Sequence, residues 1–457
     1  MDSTVKKSGD ESRSMHDPPR WILLVLLCVA ILVRGRVIES LSDGILFQDP
    51  DGYARVARLV VSKGVYASTT YNGRPVATAA RAPLYPLLLA VAQFIGDTVT
   101  GRALFGLVHV ALGVGTVFAV LRLARLWSLS PWASILAAAL VTIDPIQLHY
   151  SAQIMTETLA GFLAAVTLVA ITRFAQEVSY LRALLAGVLA GLCILCRPEF
   201  LAWTVGVVAC FPFLAVGPRR LRRLSTYVVA AALVVAPWAI RNAREFGSPI
   251  ITTTHGGVTL LLANNPSFYE YLRSAPWGST WDGESINIDY AHLRSKHEYE
   301  QPALGTPMPW ITRLAVDEVA VDREAYHLAF QNIRAEPGMF AYSCLVRVGR
   351  LWAVLPHATS PHESASRRGM RYAVGIFYTF ELALALLGAW FVGRKLLSAP
   401  WVWGTLLLAS YTAVHAFYWT DMRMRAPLVP VVALLVAVAV SQLAVRRRGA
   451  TSLPDQA

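Results

Sequence analysis

Residues 21–38 read WILLVLLCVAILVRGRVI, and residues 47–58 read FQDPDGYARVAR. The first run is apolar over about the 20 residues that a membrane-crossing helix needs. The second sets Asp49 and Asp51 two residues apart just beyond it. A long apolar run that gives way to an acidic, turn-forming loop points to an all-α polytopic membrane protein. Its candidate chemistry lies at the ends of the helices.

Composition agrees. The 457 residues are 55% hydrophobic and 15% charged. Soluble domains carry about 25% charged residues, and a soluble chain this poor in charge could not cover its surface. The formal net charge is +12. Basic residues also orient membrane proteins, so this charge is no argument for a nucleic-acid partner, and none is expected. Cys193-x-x-Cys196 has the spacing of half a metal or redox site. No second pair exists and both flanks are apolar, so these read as buried helix cysteines.

Further apolar runs fall near 101–121, 131–147, 157–172, 181–196, 199–216, 225–240, 371–392, 400–418 and 426–444, which with the first makes about ten expected transmembrane helices. No small-residue cleavage site follows the first, so it reads as a retained span. With the N-terminus in the cytoplasm, the clear basic clusters all fall on one side. They are Lys6, Lys7, Arg13 and Arg20; Arg122 and Arg125; Arg173 and Arg182; Arg219, Arg220, Arg222 and Arg223; Arg394 and Lys395; and Arg446, Arg447 and Arg448. The positive-inside rule supports this alternation. The segment 83–96 is apolar but short, and 338–356 is interrupted by Arg347 and Arg350, so both read as juxtamembrane helices. The expected organisation is a cytoplasmic tail at 1–20 and a transmembrane region at 21–240 with a first outer loop at 39–100. An outer loop region at 241–370 follows, punctuated by Asn264-Asn265-Pro266, Trp277-Gly278, Pro302, Pro307 and Pro309. C-terminal transmembrane helices at 371–444 and a cytoplasmic tail at 445–457 complete the chain.

The candidate functional residues collect on the outer side. Asp49-Pro50-Asp51-Gly52 is by itself a turn signal, yet a carboxylate at a membrane surface also serves as a general base or a metal ligand. Arg81 directly precedes an apolar segment, where an arginine can meet a phosphate at headgroup depth or snorkel to the interface. Glu157 opens a span. An acid there complements the helix dipole, but a carboxylate at the edge of hydrocarbon is costly and is a functional candidate. Arg197-Pro198-Glu199 reads as a surface ion pair between two spans. Trp238 fits an interfacial anchor, and Arg241-Asn242 lead into the loop that carries His255-Gly256-Gly257. No phosphate-loop or dinucleotide fingerprint occurs.

The order of these pieces resembles the membrane glycosyltransferases of the GT-C superfamily, family 39 above all. That group holds the dolichyl-phosphate-mannose–protein mannosyltransferases and the lipid A aminoarabinose transferase. The resemblance is carried by Asp49-x-x-x-Tyr53-x-x-x-Ala57-Arg58, Arg81-x-Pro83-Leu84-Tyr85-Pro86, Thr156-Glu157, Arg197-Pro198-Glu199, Pro237-Trp238-x-x-Arg241-Asn242, Gly257 through Asn264-Asn265-Pro266, and Arg423-x-Arg425-x-Pro427. It implies a GT-C-type bundle with juxtamembrane helices and a polyprenyl-phosphate sugar donor, and transfer with inversion by an Asp general base. The acceptor, a lipid, a glycan or a protein, stays open. By this resemblance Asp49, Asp51 and Glu157 are the candidate catalytic acids. Tyr53, Arg58, Arg81, Tyr85, Arg197, Arg241, Asn242 and His255 are the candidate substrate contacts. Where the family often has Glu after its Asp, this chain has Pro50, with the second acid at Asp51, so which acid is the base stays open. Asp49-x-Asp51 also has the form of a divalent-metal motif, but the resemblance favours metal-free chemistry, and no cofactor is expected. The implied setting is a bacterial cytoplasmic membrane, with the site facing the exterior. A transporter of lipid-linked sugars and a non-catalytic scaffold are the competing classes. The first needs charge deep within the spans, where the sequence offers chiefly Glu381.

Overall fold

The computed structural model describes residues 19–41, 49, 51–71, 74–95, 98–214, 219–276, 279, 281–302, 312–358 and 363–451. The tails to Pro18 and from Ser452, the turn residues Phe47, Gln48 and Pro50, Trp277-Gly278, Pro307 and Pro309 lie outside them.

The first span is α1 (Arg20–Leu41). The first loop then forms α2 (Tyr53–Lys63), the antiparallel hairpin β1 (Ala67–Tyr71) and β2 (Arg74–Ala77), and α3 (Leu84–Ile95). The bundle continues as α4 (Thr98–Leu126), α5 (Pro131–Ile143), α6 (Pro145–Ser151), α7 (Glu157–Gln176), α8 (Tyr180–Cys196), α9 (Phe200–Leu214) and α10 (Arg220–Phe246). The second loop region holds α11 (Gly256–Ala263), α12 (Pro266–Ser274), α13 (Glu284–Lys296), a hairpin of β3 (Glu298–Pro302) and β4 (Thr312–Val316), α14 (Glu318–Ala335) and α15 (Pro337–Leu351). Two more long helices, α16 (Ala365–Val392) and α17 (Trp401–Phe417), lead to a 3-10 turn (Met422–Leu428) and α18 (Val429–Thr451). Among the described residues the regular structure is thus helical except for the two short hairpins β1–β2 and β3–β4.

All ten expected segments fall on helices, but length does not establish ten crossings. Six described helices are long and apolar enough to span, and the α5–α6 pair, bent by 46°, makes a seventh if counted as one. At 1.5 Å per residue, the 17 residues of α8 and the 15 of α9 fall short of a hydrocarbon core of about 30 Å. The expected short helix at 83–96 is α3, of 12 residues, also too short to span.

Helix α7 is apolar all round and buried along most of its length, as a central helix must be. Helices α4 and α8 flank it. Small residues permit the close approaches. A Cβ on Gly187 of α8 would collide with the Tyr227 carbonyl oxygen of α10, and one on Gly191 would lie 2.9 Å from that of Ala231. The second loop region has its own small core of Leu260, Leu261, Ile286, Leu293, Val321, Ala325 and Ala329.

The helix interiors hold more charge than the sequence reading allowed. Beside Glu381, the side chains of Arg34, Asp144 and Arg425 are buried in the bundle. Arg34 donates to the Val141 carbonyl at 3.1 Å, and Tyr378 donates to Asp144 at 3.1 Å. Arg425 donates to the Ala353 carbonyl at 2.6 Å and lies 4.0 Å from the centre of the Tyr378 ring. Together with Gln147, which donates to the Ala426 carbonyl at 2.8 Å, this network pins the 3-10 turn against α6 and α16.

Candidate active site

The turn before α2 sets up the first acid. Gly52 caps that helix with φ 77, a left-handed conformation that glycine adopts at low cost. Having no side chain, it leaves the helix's first amides to another acceptor, and Asp49 supplies it. The Arg55 amide donates to Asp49 Oδ2 at 2.9 Å. The other oxygen, Oδ1, is buried without a hydrogen-bond partner. One oxygen therefore fixes the carboxylate and the other is left to accept a proton.

Asp51 faces two arginines. Its Oδ1 is 3.4 Å from Arg81 Nη2, and its Oδ2 is 3.8 Å from Arg423 Nη1. Arg81 makes a shorter bond to the Asp51 carbonyl, at 2.8 Å through Nε, and its guanidinium lies 5.8 Å from the centre of the Tyr53 ring.

Behind them, Glu157 is 1% exposed at the N-terminus of α7. It pairs with Arg197 at 2.8 Å, while Arg197 Nε donates to Thr156 Oγ1 at 2.7 Å. The sequence reading paired Arg197 with Glu199. Instead Arg197 turns across to α7, and Glu199 has His415 as its neighbour at 4.0 Å. Arg423 completes the group, with Nε 3.9 Å from Glu157 and 3.3 Å from Asp421. This arginine was quoted in the sequence only as part of a motif and was not assigned a site role. Its position in a charged segment ahead of the last span was the available signal.

His255 stands at the N-terminus of α11. Burial, and then the positive charge of Arg81, push its pKa down to about 4, with Asp51 pulling the other way. Its imidazole is neutral at physiological pH and lies within the field of the Arg81–Asp51 pair.

Four other candidates are placed differently. Arg241 donates to the carbonyls of Thr78 and Tyr66 at 2.7 and 2.8 Å and to Asn242 Oδ1 at 2.9 Å. Its guanidinium stacks near Tyr66 and Trp238, so it braces the first loop. Asn242 is buried and donates to the Ile250 carbonyl at 2.8 Å. Tyr85 is fully buried behind Tyr53, edge-on at 5.2 Å, with its hydroxyl 3.3 Å from His109 Nε2. It supports the Tyr53 ring from behind. Arg58 is exposed on α2.

The second loop region is tied to the first loop through Glu318 at the start of α14. The carboxylate accepts from Thr78 Oγ1 at 2.7 Å, the Ala79 amide at 2.9 Å and Thr254 Oγ1 at 2.8 Å. Among the described residues, no group of three or more His, Cys, Asp or Glu is placed to hold a metal ion. The arrangement gathers half-free Asp49, the paired carboxylates of Asp51 and Glu157, and the arginines Arg81, Arg197 and Arg423.

No family model matches the chain, and the search of curated proteins finds no match. The search of solved structures does find similar chains, one of which shares the fold at a TM-score above 0.5. The archaeal oligosaccharyltransferase AglB from Archaeoglobus fulgidus, in complex with an inhibitory peptide and a dolichol-phosphate, matches at a TM-score of 0.51 and 15% identity. The match covers 96% of this chain and 52% of that one. ArnT from Cupriavidus metallidurans, bound to undecaprenyl phosphate, matches at 0.39 and 15% identity, covering 95% and 81%. The arabinosyltransferase EmbB from Mycobacterium smegmatis matches at 0.37 and 16% identity, covering 90% and 41%. The chain spans about half the length of the archaeal structure. The fold of this chain is thus shared with the matched part of that oligosaccharyltransferase.

Proposed function

We propose that the protein is an integral membrane glycosyltransferase that moves a sugar from a polyprenyl-phosphate donor to an acceptor on the outer side of the membrane. The observation that carries this reading is Asp49. One of its carboxylate oxygens is anchored by the Arg55 amide and the other is buried without a partner, two residues before Asp51, which faces two arginines suited to a phosphate.

In this mechanism Asp49 takes the proton from an acceptor hydroxyl or amine as that atom attacks the anomeric carbon. The bond from that carbon to the phosphate oxygen breaks, its electron pair stays on the phosphate, and the configuration inverts. The leaving phosphate needs no proton but needs its charge held, and Arg81 and Arg423 are the groups for that, as planar forks that match phosphate oxygens. Asp51, facing both arginines, is less free than Asp49 to accept a proton, which favours Asp49 as the base. Glu157 and Arg197 form the buried floor against which Arg423 is held.

Asp49→Asn is expected to lower transfer by about 10²–10⁴-fold, the usual worth of a general base, while the purified protein keeps its thermal midpoint. Activity near wild type would remove Asp49 from this role and move the test to Asp51 and Glu157. A second reading, a transporter of lipid-linked sugars, draws on the buried Arg34, Asp144, Glu381 and Arg425 within the bundle. Three of these four already have partners in the helix network described above, which makes the network a structural brace first.

A further inference from the structure

The seat formed by Arg81 and Arg423 already contains a carboxylate. Neither arginine is tightly committed to it: the two contacts are 3.4 and 3.8 Å, whereas charge-assisted bonds usually run about 2.7–2.9 Å. The Glu157–Arg197 pair a few residues away, at 2.8 Å and almost fully buried, shows what a committed pair looks like in the same protein. Arg423 is the less satisfied of the two. Its Nε is buried without a hydrogen bond, and its Nη1 bonds to the sulfur of Met155 at 3.6 Å. The side chains of Arg81, Arg423 and Asp51 are 24%, 23% and 27% exposed, so a ligand can reach all three.

We infer that Asp51 is the resident counter-anion of this seat: its carboxylate competes with a lipid-linked phosphate for Arg81 and Arg423 and so sets how tightly phosphate-bearing lipids are held. The inference rests on the phosphate-donor reading above and adds a specificity-determining residue to it. The chemistry follows from charge. A sugar–phosphate–lipid diester carries one negative charge, and the acid it must displace from both arginines is Asp51, since Glu157 and Asp421 face Arg423 but not Arg81. The product is a phosphate monoester, whose second pKa is about 6, so it carries about −1.5 to −2 at pH 7. Two arginines without Asp51 would hold that product hardest. Asp51 weakens both complexes and limits product hold-up in each cycle.

The test uses the full-length protein in detergent micelles, with undecaprenyl phosphate, inorganic phosphate and undecaprenol as probes. Asp51→Asn removes the charge at nearly constant shape, and Asp51→Ser gives a second neutral variant should the first not fold. The neutral variant is expected to bind undecaprenyl phosphate about tenfold more tightly than wild type, equivalent to about 1.4 kcal/mol. Its undecaprenol binding is expected to stay unchanged. In turnover, both the donor KM and kcat fall, because product leaves slowly. A matching gain for inorganic phosphate supports the inference and assigns it to the phosphate alone. A gain confined to the lipid supports it and assigns it to the lipid-linked anion. Equal or weaker binding of undecaprenyl phosphate by a folded neutral variant overturns it, since Asp51 would then be ordering the arginines. If wild type and variants alike bind undecaprenyl phosphate no better than undecaprenol, the phosphate-donor reading itself fails, a result distinct from the loss of this inference.

Discussion

Arg241 and Arg423 each stand beside the end of a long helix, and each belongs to a motif that the sequence resemblance carries, yet the structure uses them in opposite ways. Arg241 has three short hydrogen bonds to neutral oxygens and aromatic rings around it. Arg423 has three carboxylates within 3.3–3.9 Å and no hydrogen bond on its Nε. A guanidinium saturated by backbone carbonyls is a brace, because taking it away strands buried acceptors. One surrounded by acids at long range can exchange partners, which is what an anionic substrate requires. In the proposed site the nature of the partners, more than the position at the membrane surface, is what distinguishes the arginine assigned to binding from the structural one.

The sharpest way to break this comparison is to truncate both. Arg423→Ala is expected to cut transfer kcat/KM by about 10²–10³-fold, the cost of one preorganised charge-stabilising donor, with a small change in thermal midpoint. Arg241→Ala is expected to cost about 2–3 kcal/mol of stability, as charged hydrogen bonds to buried carbonyls are lost. The fraction that remains folded should keep most of its activity. Thermal unfolding and activity per folded molecule, measured side by side, decide the matter. The comparison collapses if Arg241→Ala loses activity without losing stability.

A smaller effect sharpens the same picture at His255. Its folded pKa of about 4 lies below the ordinary value of 6.5, so the unfolded chain binds a proton that the folded chain refuses. The stability due to a neutral His255 is fully present above pH 6.5 and is lost as pH falls towards 4, at a limiting slope of about 1.4 kcal/mol per pH unit. Urea unfolding of His255→Gln should show a flatter dependence across that window than wild type. An unchanged slope would mean that His255 is not held neutral beside Arg81.

The helices were legible in the sequence because apolar runs of membrane length have few alternative readings. The turn at Asp49, the acid at Glu157 and the arginine at Arg81 were legible because each is a polar residue at the end of such a run. The partners were not. Arg197 and Glu199 are two apart in the chain, but Pro198 separates one helix from the next, which starts at Phe200, and the short ion pair of Arg197 is made with Glu157. Arg423 reaches Asp51 across most of the chain, and Glu318 reaches Thr78 from the second loop region. Contacts of that span depend on how helices pack, which local pattern does not encode. The buried brace around Asp144 and Arg425 was missed for the same reason, since each charge read as the end of a span until Tyr378 and the Ala353 carbonyl were seen to meet them.

The central claim is that a sugar leaves its lipid at this site. The most direct test follows a radiolabelled polyprenyl-phosphate sugar in proteoliposomes holding the purified protein and a cell-envelope acceptor extract. The account predicts that label appears in the acceptor fraction while unlabelled polyprenyl phosphate accumulates, and that Asp49→Asn abolishes both. Label that crosses between leaflets yet stays attached to the lipid, equally in wild type and Asp49→Asn, would contradict it and identify a transporter.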